Sequence, residues 1–419
     1  MDDDKIANLL GVHLEPGPHL GTMALLDKAD PLRDKQTGHV IRDGKPKSHL
    51  ANVQTILEHD PVWRGRLEFC ELRQRVTFDD VPVTDAAEAD IVHRLARTYG
   101  IVPTTTAVHE AISWAASKRR HHPVRYWLNE IEWDGVERIG RWLSEYCAAD
   151  ESRLSRAVGR AWLIQCVARA MTPGCKADTV LILKGTQGCG KSTTVKVMGG
   201  QWFKDSDIDL GSKDRFSALE GAWIYELGEL DAMRKADARA LKAFVSSQVD
   251  SYRPAYGRNC VDVPRTTVFA GTTNDAEFLV DATGSRRFWV VEVGQCDTER
   301  LQLDREQLWA EAVHAWSQGE AWHLDAEVDA MRAEQAEHYA PTDSWEAPVV
   351  NWLRTQMGSI TLSECWTGAL GNERINASRA DDMRLGNILR AAGWTKRRVT
   401  KPDGSRVVLW SAAIPATPR

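Results

Sequence analysis

The octapeptide Gly185-Thr186-Gln187-Gly188-Cys189-Gly190-Lys191-Ser192 sets glycines, a lysine and a hydroxyl at the spacing G-x-x-x-x-G-K-[ST]. Glycines let successive backbone N–H groups turn inward on an anion, and a helix starting directly after adds partial positive charge. The lysine then reaches the β- and γ-phosphates of a nucleoside triphosphate, and the hydroxyl takes a place on Mg²⁺. The spacing predicts a loop for ATP and Mg²⁺, with Thr193 in the first turn of the helix behind it. Cys189 lies inside the loop. A helix N-terminus lowers a thiol pKa, but this position tolerates many residue types and no role is assigned to it.

Such a loop needs carboxylates and a polar strand tip beside it. The apolar run Ala222-Trp223-Ile224-Tyr225 ends in Glu226, and Glu229 follows. One of the two holds Mg²⁺ through water and the other polarises the attacking water; the spacing leaves open which does which. The plain alternative is two surface acids at a helix start. A further run, Thr267-Val268-Phe269-Ala270, leads through Gly271-Thr272-Thr273 to Asn274, which can orient water against the γ-phosphate or serve as a turn residue. Arg286 and Arg287 follow on a short loop. They read as a solvated charge pair, or as fingers that neutralise γ-phosphate charge in a neighbouring subunit.

The elements that must position these residues alternate. Thr179–Leu183, Ala222–Tyr225 and Thr267–Ala270 are short continuous apolar runs, the pattern of strands buried on both faces. Helical stretches lie between them, which predicts an α/β class with a parallel sheet. Arg153–Met171 reads as an amphipathic helix ended by Pro173-Gly174. Residues 1–120 read as mostly helical: Ser48 caps a helix with Leu50, Val53, Ile56 and Leu57 on one face, a second runs from Asp85 to Gly100, and a third follows Thr104. Three such helices form a DNA- or partner-binding module or a plain scaffold. The aromatic-rich stretch holding Tyr126, Trp127, Trp133 and Trp142 reads as core.

The predicted division is a helical N-terminal domain (1–120), a P-loop domain with helical lead-in and lid (121–340), and a basic C-terminal domain (341–419). In the last, Asp343 and Glu346 stand at capping-box spacing, a helix from Asp381 buries Leu385, Ile388 and Leu389, and strands at Lys396–Thr400 and Arg406–Ser411 flank a turn. Helices followed by a basic hairpin describe a winged helix.

At 419 residues, with 43% hydrophobic and 27% charged residues, the composition is that of a globular chain, and no apolar run is long enough to span a membrane. The start MDDDKIANLL has no positive segment leading into an apolar core, so a secretory signal is not expected. Eight scattered cysteines without a CxxC argue against structural zinc and suit a reducing cytoplasm. The net charge of −6 is uneven: residues 373–419 carry ten Lys/Arg against four acids. Lys396, Arg397 and Arg398 are the expected duplex-DNA contacts of that tail. Ser251–Arg265 is a second basic stretch, with Arg253, Arg258 and Arg265 interleaved with Tyr252 and Tyr256. Arginines grip phosphates and a tyrosine stacks on a base, so Arg253, Tyr256, Arg258 and Arg265 are expected to touch single-stranded DNA.

The ordered set of phosphate loop, WIYELGEL, DSYRPAYGR, FAGTTN and DATGSRRFWVVEV resembles the virulence-associated protein E family of phage and genomic-island ATPases, related to superfamily 3 helicases within the AAA+ class. The resemblance is densest over residues 175–293. It implies an AAA+-like core in which Lys191 and Ser192 are the Walker A residues, Glu226 and Glu229 the Walker B acids, Asn274 sensor 1, and Arg286 or Arg287 the arginine finger. Residues 251–265 would line the central channel of a hexameric ring that moves along DNA in mobile-element replication. A Walker B strand usually ends in Asp, which leaves the split roles of Glu226 and Glu229 open. Two other classes stay open from the residues alone: an initiator or regulator that uses ATP only to assemble on DNA, and a P-loop kinase for a small molecule.

Overall fold

The computed structural model describes residues 18–28, 32–33, 40–42, 44–206, 208–228, 235–253, 260–274, 285–337, 339, 344–371, 377–400 and 406–412. The chain divides into two compact units, Met1–His338 and Tyr339–Arg419.

The first unit is α/β, built on an all-parallel sheet of five strands. They are β1 (Val180–Lys184), β2 (Phe203–Lys204), β3 (Ile224–Leu227), β4 (Val268–Thr273) and β5 (Phe288–Glu292). Their spatial order is β5-β1-β4-β3-β2. Val180 to Leu183 are fully buried, as a central strand covered on both faces requires. From β1 the chain leaves for the far edge at β2, returns through β3 and β4, and then crosses to the other side of β1 with β5. The loop after β1 therefore opens between the carboxyl ends of its two neighbours, the crevice where open α/β sheets bind ligands.

Helix Arg153–Met171 is buried along most of its length rather than along one stripe. Two indoles tie it to the sheet: Trp162 Nε1 donates to the Phe269 carbonyl at 3.1 Å, and Trp223 Nε1 donates to the Cys166 carbonyl at 3.0 Å. Each satisfies a polar group that burial would otherwise leave unpaired. Trp127, Trp202, Trp223 and Trp309 form a contiguous aromatic cluster, with Trp223 and Trp309 centroids 4.4 Å apart. Of the aromatics read as core near residue 130, Trp142 is buried and Tyr126 is exposed.

The N-terminal part of this unit holds helices Leu50–His59, Asp85–Tyr99 and Thr105–Ser117, where they were predicted. Thr84 Oγ1 accepts the Ala87 N–H and Gly100 ends its helix in the left-handed region. The first helix is capped by His49, whose Nδ1 accepts the Asn52 N–H at 3.3 Å, not by Ser48. Ser48 Oγ accepts the Val102 N–H instead. Among its described residues this segment is not mostly helical either. A four-stranded sheet runs Val81–Pro82, Arg75–Phe78, Leu67–Cys70 and Arg120–His121 in space, and its strands are too short to show a period. Trp63, Phe78, Ile91 and Ile112 belong to a core separate from that of the large sheet.

In the second unit, helix Glu346–Leu353 starts from Trp345 without a side-chain cap, and Asp343 lies outside the described residues. Helix Arg379–Ala391 begins with a capping box between Ser378 and Asp381, and buries Leu385, Ile388 and Leu389. Strands Trp394–Thr400 and Arg406–Ala412 pair antiparallel, and Ser359–Ile360 adds a third strand beside Trp410. Trp410 anchors this core. Among the described residues, no helix is long and apolar enough to cross a membrane.

Candidate functional site

Glycine at three points makes the loop after β1 possible. A Cβ on Gly185 would stand 2.5 Å from the Val293 carbonyl oxygen, so the loop leaves the sheet through a gap only glycine fits. Gly188 and Gly190 sit at φ +82° and +94° in the left-handed region. Gly190 is then the N-cap of helix Lys191–Gly199, whose first turn carries Lys191 and Ser192. Thr193 follows them on the exposed side.

Lys191 is nearly buried, at 7% exposure. Its ammonium donates to the carbonyls of Gly185 and Thr186 and to Asn274 Oδ1, each at 2.8 Å. These three acceptors hold the charge at the mouth of the loop. Asn274 follows β4, so the strand next to β1 delivers the polar tip that the sequence placed there.

Glu226 sits inside β3, opposite Ala270 of β4, and is 3% exposed. Its Oε1 accepts from Ser192 Oγ at 2.7 Å and from Thr272 Oγ1 at 2.8 Å. Its Oε2 is buried without a partner. A buried carboxylate oxygen left open costs free energy unless something occupies it. A hard cation, or water held on one, is the group that such an oxygen beside a serine hydroxyl fits. Thr272 escaped the sequence reading. Its signal was present, since the two-residue period of a strand puts it on the side that Asn274 continues.

The remaining expected residues divide. Glu229, Tyr256 and Arg258 lie outside the described residues. Arg286 is exposed, while Arg287 is tied within the chain: its Nε is 3.4 Å from Asp178 Oδ2 and donates to Ser246 Oγ at 2.8 Å. Strands Val249–Tyr252 and Val261–Pro264 pair as an antiparallel hairpin, as the alternation of Val261 and Val263 predicts. Arg253 is exposed at its open end.

Arg265 is a correction. Its side chain has no exposed surface, its Nε lies 3.0 Å from each Asp250 carboxylate oxygen, and its Nη1 donates to the Phe244 carbonyl. The rings of Phe244 and Phe269 stand 4.8 and 5.4 Å from its guanidinium carbon. It is the root of the hairpin and cannot meet DNA. Tyr252 is buried as well. Beneath the pair, Arg169 is also buried and donates to the carbonyls of Arg265, Ala177 and Ser247; burial holds its guanidinium down to about 10. In the second unit Lys396, Arg397 and Arg398 are all exposed on strand Trp394–Thr400.

The virulence-associated protein E-like domain matches residues 128–341. The chain belongs to that family. The matched region encloses all five strands of the parallel sheet together with Lys191, Ser192, Glu226 and Asn274, so the virulence-associated protein E-like domain and the loop–carboxylate–asparagine cluster coincide. Among solved structures, the chain is similar to the A form apo structure of the NrS-1 C-terminal region, at 11% identity and a TM-score of 0.48 over 83% of this chain and 96% of that one. Another apo structure of that region, residues 305–718, is similar at 13% identity, with a TM-score of 0.48 and the same coverage. No curated protein matches the chain.

Proposed function

We propose that this virulence-associated protein E-like protein is an Mg²⁺-dependent ATPase that moves DNA strands as a ring-shaped hexamer in phage or mobile-element replication. The observation that carries the ATPase reading is the convergence of three strands on one point. The β1 loop brings Lys191 and Ser192, β3 brings Glu226, and β4 brings Thr272 and Asn274.

ATP binds with its phosphates in the loop. The Lys191 ammonium exchanges its carbonyl acceptors for β- and γ-oxygens. Ser192 and Glu226 would hold Mg²⁺, and the Thr272 hydroxyl keeps the Glu226 carboxylate oriented. The cation, when bound, neutralises charge developing on the transferred phosphoryl group. Asn274, released from Lys191, orients the attacking water, and Glu229 is its proton acceptor. Exposed Arg286 is the finger offered to a neighbouring protomer, since Arg287 is already held by Asp178 and Ser246.

Asn274 follows β4 directly, and Arg265, three residues before its start, roots the hairpin. A change at the γ-phosphate is thereby joined to the hairpin through one strand. Arg253, Tyr256 and Arg258 form the load-bearing end on single-stranded DNA. The C-terminal unit is winged-helix-like, and its exposed Lys396, Arg397 and Arg398 grip duplex phosphates.

ATP turnover measured with and without single-stranded DNA, together with light-scattering mass under ATP, tests the reading. Lys191→Ala is expected to abolish hydrolysis with the fold intact. Wild-type turnover in that variant removes the ATPase assignment, and a rate indifferent to DNA removes the translocation assignment.

A further inference from the structure

Beneath the phosphate-binding loop lies a cluster of three thiols that the mechanism does not use. Cys189 belongs to the loop, Cys147 ends helix Trp142–Cys147, and Cys296 follows β5. The backbone draws them together. The Cys296 N–H donates to the Cys189 carbonyl at 2.8 Å, and the Gly294 N–H donates to the Cys147 carbonyl at 2.9 Å. The Cys296 thiol donates to the Gly294 carbonyl at 3.8 Å, and Cys147, Cys189 and Cys296 share one buried cluster. The Cys189 sulfur is also 3.9 Å from the Lys191 ammonium. Cys147 is fully enclosed, whereas Cys296 keeps 7% of its surface and Cys189 4%. Apolar packing alone would have been served by alanine or valine here; three thiols in one cluster, one of them beside an ammonium, supply a nucleophile with partners.

We propose that Cys296 and Cys189 form a reversible oxidative modification site, in which a hydroperoxide converts the two thiols to a disulfide that ties the nucleotide loop to the segment after β5. The neighbouring Cys147 first, then Thr194, the Lys191 charge and Cys189, hold the Cys296 thiol below its usual range, so it carries the reactive thiolate. The same contact with Cys296 and then burial push the Cys147 thiol up, which leaves Cys147 as the protonated neighbour of Cys296. The Cys296 thiolate attacks one peroxide oxygen. The S–O bond forms, the O–O bond breaks, and the departing hydroxide takes a proton to become water. The Cys189 thiol then attacks the sulfenic sulfur. The S–S bond forms, the S–O bond breaks, and a second water leaves with the Cys189 proton. Two thiols lose two electrons and one peroxide becomes two waters. A hydrogen bond linking the two backbones directly is compatible with the Cα separation a disulfide needs, about 4.4–6.8 Å.

The consequence for ATP rests on the function proposed above; the disulfide itself does not. A Cys189–Cys296 link fixes the loop two residues before Lys191 and holds its sulfur away from the ammonium. Oxidised protein is expected to lose Mg-ATP binding and to regain it with reductant.

The full chain, nucleotide-free, is treated with hydrogen peroxide and mapped by non-reducing peptide mass spectrometry, and binding of a fluorescent ATP analogue is followed in parallel. The expected result is a Cys189–Cys296 peptide pair and a loss of binding that reductant reverses. Cys296→Ser is expected to keep basal ATP binding and to resist peroxide, and Cys296→Ala serves where the serine variant unfolds. Cys147→Ser is expected to slow the oxidation without changing the linked pair. Absence of a Cys189–Cys296 peptide, a Cys147–Cys296 pair in its place, or wild-type peroxide sensitivity in the Cys296 variants overturns the proposal. If the disulfide forms but reduced wild-type protein binds no ATP analogue, the modification site stands and the nucleotide reading fails.

Discussion

Replacing Asp250 by asparagine tests how the hairpin is rooted. The Arg265 side chain has no exposed surface and Asp250 has 8%, and they meet through Nε at 3.0 Å and through Nη2. Asp250→Asn keeps the shape and removes the compensating charge. The Arg265 charge then stays buried beside that of Arg169, which donates to the Arg265 carbonyl at 3.2 Å. Removing one partner of a buried pair costs about 3–5 kcal/mol. The second buried guanidinium places this site at the upper end. For a unit spanning Met1–His338, at about 2.1 cal/mol/K of unfolding entropy per residue, each kcal/mol lowers the midpoint by about 1.4 °C, so thermal unfolding is expected to drop by roughly 4–7 °C. The paired replacement Asp250→Leu with Arg265→Met is expected to recover most of that loss, because apolar groups of similar volume often replace a buried pair at little cost. A single-variant shift below about 2 °C, or a double variant no better than Asp250→Asn, refutes the argument that the charge pair is the root.

Four further outcomes are expected. Glu226→Gln should bind ATP and hydrolyse it poorly, and the Mg²⁺ dependence of binding should weaken; normal turnover measured by phosphate release contradicts the carboxylate's role. Arg286→Ala should retain ATP binding and lose roughly 10³-fold or more in hydrolysis, and mixing it with Lys191→Ala should restore part of the rate if the finger acts across a subunit boundary. Arg258→Ala should lower single-strand affinity and reduce its salt slope by ~0.7, with DNA-free ATPase unchanged; an unchanged slope in a titration series removes that contact. His122 caps helix Pro123–Glu130 as a neutral imidazole, and burial lowers its pKa from 6.5 to about 4. Because the folded value is the lower one, the unfolded chain takes up the proton first. Stability is full above pH 6.5 and falls toward pH 4, by about 3 kcal/mol in all, and denaturation of His122→Gln should lack that component.

The site was legible where its parts are short-range patterns. The loop, Glu226 and Asn274 each follow directly from an apolar run, and a continuous apolar run already says that its strand is covered on both faces. The helices of the N-terminal part were legible through caps and period, with Thr84 and Gly100 marking one of them cleanly. The strands between Leu67 and Pro82 were not, because two- to four-residue strands are fixed by pairing partners rather than by their own pattern. Asp178 was missed for a related reason, since the partner that defines it, Arg287, lies 109 positions away in the chain.

Arg265 shows the limit of reading charge from composition. In the string SYRPAYGRNCVDVPR it is one of three arginines with equal claim on a phosphate, yet it occupies a different physical class from Arg253. What separates them is position relative to the hairpin ends. Val249 pairs with Pro264 at the base, so Arg265 falls just below the last pair, against the sheet, while Arg253 falls just beyond the pair of Tyr252 with Val261 at the open end. A residue at the base must turn into the core, and an arginine there survives only with a carboxylate of its own, which Asp250 on the opposite strand supplies. The same buried charge that disqualifies Arg265 as a DNA contact makes the hairpin a stiff extension of β4. Stiffness is what the coupling of a strand tip at Lys191 to a distant load would require.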